Sequence, residues 1–74
     1  MTINNSRFIA TALDNLENAC EKLDNFLNSM SNALKDVNDM SDSEKISMLM
    51  KEGAKIKKEL LELEANVKGI LVST

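Results

Sequence analysis

Nine apolar residues succeed one another through the first half of the chain in alternating steps of four and three: Ile9, Leu13, Leu16, Cys20, Leu23, Leu27, Met30, Leu34 and Val37. A strand repeats every two residues. This pattern repeats every 3.5 and gathers all nine on one stripe of an α-helix. In heptad notation Leu13, Cys20, Leu27 and Leu34 occupy a, and Ile9, Leu16, Leu23, Met30 and Val37 occupy d. No proline interrupts the pattern anywhere in the 74 residues.

The ends of this helix are also legible. Asn4 is the expected N-cap, with Ile3 and Phe8 placed to form a hydrophobic staple across it. The run Asn38-Asp39-Met40-Ser41-Asp42-Ser43 offers side chains that compete for backbone hydrogen bonds and should end the helix. Ser41 followed by Glu44 has capping-box spacing, and Ser43 is an alternative cap. A second stripe then begins: Ile46, Leu60 and Val67 at a, Leu49, Ile56, Leu63 and Ile70 at d, and Gly53 as the one gap. The spacing predicts helix 1 over about 4–38, a turn over 39–43 and helix 2 over 44–72.

Two helices of ~45 Å joined by a short link pack side by side and antiparallel. The predicted fold is therefore all-α, a single helical-hairpin domain over 1–74. Folding back at residues 41–42 sets Val37 against Ile46, Met30 against Gly53, Leu23 against Leu60, and Leu16 against Val67. The hairpin-packing residues of helix 2 are then Gly53, Ile56, Leu60, Leu63 and Val67. Gly53 costs about 1 kcal/mol in a helix interior relative to alanine. It either admits the Met30 side chain, lets the backbones approach, or is a tolerated defect.

Composition sets limits on chemistry. One core at this length supplies only about 3–5 kcal/mol, so small folds add disulfides, metals or partner chains. Cys20 is the single cysteine and there is no histidine, which removes a disulfide and the common zinc and iron ligand sets. Nucleophilic triads lose their imidazole base as well. The expectation is a non-enzymatic protein with no cofactor, no metal and no small-molecule substrate. Cys20, at an a position, reads as a small buried hydrophobe rather than a regulatory thiol.

No apolar run approaches the ~20 residues of a membrane span, and residues 1–10 lack the apolar segment of a signal peptide. Cytoplasmic residence without membrane insertion is expected, with leaderless secretion as the alternative. Lys51, Lys55 and Lys58 share a face of helix 2 with Lys57 beside them, but Glu52, Glu59 and Glu62 are interleaved. That pattern reads as a solvated, self-neutralised face. The net charge of −3 likewise argues against nucleic acid.

Helix 1 carries a further column at g, namely Ala12, Ala19, Phe26, Ala33 and Met40. A two-helix seam does not cover it, whereas a bundle helix uses such a wide face. The expected protein-interaction face is Leu16, Ala19, Leu23, Phe26, Met30 and Ala33, buried against a second copy in a dimeric four-helix bundle or against a partner helix. In outline the chain resembles small hairpin families: Rop-type RNA-binding dimers, type III secretion needle subunits with their co-chaperones, and the small subunit of exonuclease VII. The apolar face leads to the expectation of an adaptor, co-chaperone or accessory subunit, and these families are likenesses of shape. They imply two alternatives, a polymerising needle-like subunit or a nucleic-acid regulator using the helix 2 lysines. The chain departs from the needle subunits in lacking a proline-containing turn.

Overall fold

The computed structural model describes residues 2–73, with side chains described over 6–73. Two helices, α1 (Thr2–Asp36) and α2 (Met40–Ser73), pack against each other along their length as an antiparallel hairpin. The molecule is a rod with principal extents of 58 × 14 × 11 Å. No described helix is long and apolar enough to cross a membrane.

The turn differs from expectation. It is the three residues 37–39, not 39–43, and α2 starts four residues early, at Met40. The reason is the cap. Asp39 accepts a hydrogen bond from the Ser41 backbone N–H on Oδ1 at 2.8 Å, and its carbonyl accepts the first α-helical bond, from Ser43 N–H, at 3.0 Å. Asp39 therefore caps α2, and Ser41 and Ser43 lie inside the helix. The Val37 N–H closes on the Leu34 carbonyl at 3.4 Å, tightening the last turn of α1. At the other end α1 already includes position 4, so Asn4 does not precede the helix. Of the expected Ile3–Phe8 staple, the Ile3 side chain lies outside those described, and Phe8 is 69% exposed.

Replacing Asp39 by alanine should cost about 1 kcal/mol of stability, whereas Asp39→Asn, which keeps an acceptor, should cost a few tenths. Urea titrations of the three proteins test this; an alanine variant as stable as the parent would place the cap elsewhere.

All nine residues of the helix 1 stripe are buried or half-buried, as the a/d pattern requires. Helix 2 is different. Its inner stripe is Ile46, Met50, Gly53, Lys57, Leu60, Glu64, Val67 and Leu71, which are the a and e columns. The d column faces away from the seam: Leu49, Ile56, Leu63 and Ile70 are 52, 45, 48 and 53% exposed. Relative to a seam centred on a/d, α2 is turned about its axis by about 50°.

Three contacts account for the turn. Gly53 lies against Phe26 and Leu27, not Met30; a Cβ built there would stand 2.8 Å from Leu27 Cδ2 and 3.2 Å from Phe26 Cε2. With no side chain in the way, the helices approach at that level. Lys57 pairs with Asp24, and the Cys20 thiol donates to Glu64 Oε1 at 3.8 Å. Both polar partners belong to the e column. Pulling them inward moves the d column out. The change of partner for Gly53 from Met30 to Leu27 is one helical turn, in keeping with a turn centred nearer the N-terminus.

Candidate functional site

Helix geometry decides which flanks share a face. Across the seam Phe26 meets Gly53, whereas Asp24 meets Lys57. On α1 the column beyond Phe26's side is g: Ala12, Ala19, Phe26 and Ala33. On α2 the column beyond Gly53, on the side away from Lys57, is d. The two columns consequently flank the same side of the hairpin, one on each helix. Together they make a continuous apolar face, with four aliphatic side chains each roughly half exposed and Phe26 exposed by 39%.

The opposite side is mostly polar. It carries Glu17, Asp24 and Ser31 from α1, and Ser47 and Lys68 from α2 around Leu61. Asp24 and Lys57 pair there, and Lys68 lies 3.4 Å from Glu64. These pairs are partly exposed and each stabilises by less than about 1 kcal/mol. Only the Asp24–Lys57 pair crosses the seam, and it favours the rotation that exposes Leu49, Ile56, Leu63 and Ile70; Glu64–Lys68 lies within α2.

The residues expected to form the interaction face divide between two places. Leu16, Leu23 and Met30 are half-buried within the hairpin seam. Ala19, Phe26 and Ala33 flank it on the apolar side. Among the expected packing residues of α2, Gly53 is buried, and Leu60 and Val67 are half-buried in the seam. Ile56 and Leu63 lie outside it on the exposed face. The sequence reading missed Lys57 and Glu64 as seam residues. The available signal was Asp24, a carboxylate at the edge of the helix 1 stripe that needed a cation opposite it. Lys57 thereby leaves the lysine group, while Lys51, Lys55 and Lys58 remain exposed on the outer side of α2.

Cys20 is the one buried hydrophobic residue among those described, at 9% exposure. Burial raises its thiol above the ordinary value, and the neighbouring Glu64 carboxylate raises it further. A raised thiol value lowers the share of thiolate that a nucleophilic cysteine needs. Because the folded-state value lies above that of the unfolded chain, the contribution of the protonated thiol is complete below the ordinary thiol range. It is lost as the pH climbs through the folded-state value. The stability difference between the parent and Cys20→Ala should therefore shrink as the pH rises above the ordinary thiol value of about 8.5; a difference that stays constant in paired denaturation curves would contradict the raised thiol.

The hairpin hides little of itself. Among the described residues no large side chain is fully buried, and the chain exposes 5633 Å². A compact globular chain of 8.2 kDa exposes roughly 4,500 Å². The excess of roughly 1,100 Å² is of the size one partner contributes to a stable interface. No protein-family model, no curated protein and no solved structure matches the chain.

Proposed function

We propose that this chain is a small, non-enzymatic protein-interaction module, an adaptor, co-chaperone or accessory subunit that works by burying an apolar face against other helices. The observation that carries the proposal is the d column of α2. Leu49, Ile56, Leu63 and Ile70 recur every seven residues with about half their surface in water. Isolated exposed leucines are ordinary; a column of four beside Phe26 and the alanines of α1 is a helix-sized docking surface. The interacting residues are accordingly Ala19, Phe26 and Ala33 of α1 with Ile56 and Leu63 of α2.

The test is association of the full chain, with itself in sedimentation equilibrium and with helical proteins of its host in affinity capture. Each measurement compares the parent with Ile56→Asp/Leu63→Asp. Association that disappears in the double variant supports the proposal. A parent that is monomeric at 100 μM and captures nothing beyond what the variant captures overturns it.

A further inference from the structure

We infer that the apolar face is occupied by a second copy of this chain, related by a two-fold axis parallel to the helices, so that α1 of each copy covers α2 of the other. The inference rests on the interaction role proposed above and specifies its occupant and register.

Size fits a self-complementary pair. A face 58 Å long and 14 Å wide offers roughly 800 Å², the share one partner brings to an interface of standard size. The register within the hairpin then decides the arrangement. Contacts across the seam join residues whose numbers add to about 81, as for Asp24 with Lys57 and Leu27 with Gly53. Residues related in this way stand at the same height along the rod. A two-fold axis parallel to the helices keeps height and exchanges left for right, so each residue of α1 meets its equal-height counterpart in the other copy. Any slide along the axis would open the dimer into a filament, so closure itself sets the register.

That register is complementary in volume. Ala19 comes over Leu63, Phe26 over Ile56, and Ala33 over Leu49, so that two of the three layers set a methyl group against a large aliphatic chain. Small against large is how facing layers interdigitate. It is complementary in charge too. At the rim, outside the apolar columns, Lys22 of one copy meets Glu59 of the other, and Asp36 meets Lys45. All four side chains are exposed in the single hairpin. Two-fold symmetry makes each contact twice.

The competing face-to-face arrangement places its axis across the helices and sets α1 on α1 and α2 on α2. Alanines would then face alanines while the large column of α2 stacked on its own copy. With the axis near the midpoint of the rod, Glu52 of one copy would approach Glu59 of the other, both exposed on one rim. Volume and charge both disfavour it.

Charge reversal at the rim tests the axis without touching the core. In 50 mM salt, where rim charges are least screened, Lys22→Glu and Glu59→Lys should each weaken the dimer about tenfold. Combined in one chain they should restore the affinity to within about threefold of the parent. Mixing the two single-variant chains should give heterodimer well above its statistical half, since only the mixed pair has opposite charges at both rims. A dimer in which the double variant shows the summed loss, and the mixture stays statistical, overturns the parallel axis. A parent that is monomeric at 100 μM overturns self-association altogether. In that case Ile56-dependent capture of another helical protein would leave the interaction role standing, and its absence would remove both.

Discussion

Ile56→Asp should dissociate the proposed dimer while leaving the hairpin helical. Ile56 lies in the middle of the α2 column, close to the midpoint of the rod, and is 45% exposed in the single hairpin. In that state an aspartate there keeps its water, so the cost to the monomer is small. In the proposed dimer the same carboxylate would be surrounded by apolar side chains of the partner, and the positions that share its face on α2, Glu52, Gly53, Glu59 and Leu60, offer it no cation. Losing the isoleucine contact and desolvating a carboxylate should together cost at least about 4 kcal/mol over the two sites of a dimer, roughly a thousandfold in Kd. Asn25→Asp adds the same charge at an exposed position away from the face and should leave association unchanged. Sedimentation equilibrium reads both. Equal effects of the two substitutions would mean that net charge, not the apolar face, controls association.

Gly53→Leu pries the helices apart. The first carbon of the new side chain would stand 2.8 Å from Leu27 Cδ2 and 3.2 Å from Phe26 Cε2, and three further carbons have no space to enter. Overpacking of this kind costs about 1–3 kcal/mol. The gain of about 1 kcal/mol from leaving glycine in a helix interior offsets only part of it. Against the roughly 3–5 kcal/mol that a fold of this size commands, the loss is large. Gly53→Ala is a different case. Its single methyl group meets the far end of Leu27, a side chain that can swing away, so the helix-propensity gain and the packing loss come close to cancelling. Gly69 has nothing within 4 Å of a Cβ, and Gly69→Ala should stabilise by up to about 1 kcal/mol. Urea midpoints should thus rank Gly69→Ala highest and Gly53→Leu lowest. A leucine variant as stable as the parent would mean that the helices do not meet closely at Gly53.

The seam of helix 1 was readable because every member of it is apolar. An unbroken repeat from Ile9 has one geometric solution, and α1 adopts it as far as Leu34, with Val37 half-buried in the turn. The seam of α2 was not readable by the same method, because two of its eight residues, Lys57 and Glu64, are charged. Glu64 and Lys57 look like surface charges in a one-dimensional pattern, whereas Ile56 and Leu63 look like core. Their places are exchanged in the structure because Cys20 and Asp24 of the other helix supply the partners that let Glu64 and Lys57 turn inward. The turn was misplaced for a similar reason. Ser41, Ser43 and Asp39 are all competent caps, and the choice among them depends on where two helices of this length must reverse.

By itself the sequence determined two long helices, their antiparallel sense, and the inward stripe of α1. These follow from local periodicity, from the absence of proline, and from the one polar run at 38–43 that breaks the pattern. Only the tertiary structure decided how α2 is rotated, and hence which of its columns faces water. Rotation about a helix axis is set by a few contacts across the seam: a glycine that admits Phe26 and Leu27, a thiol that finds a carboxylate, and a lysine that finds an aspartate. None of these pairs is adjacent in the sequence. Together they expose the column on which the proposed association depends.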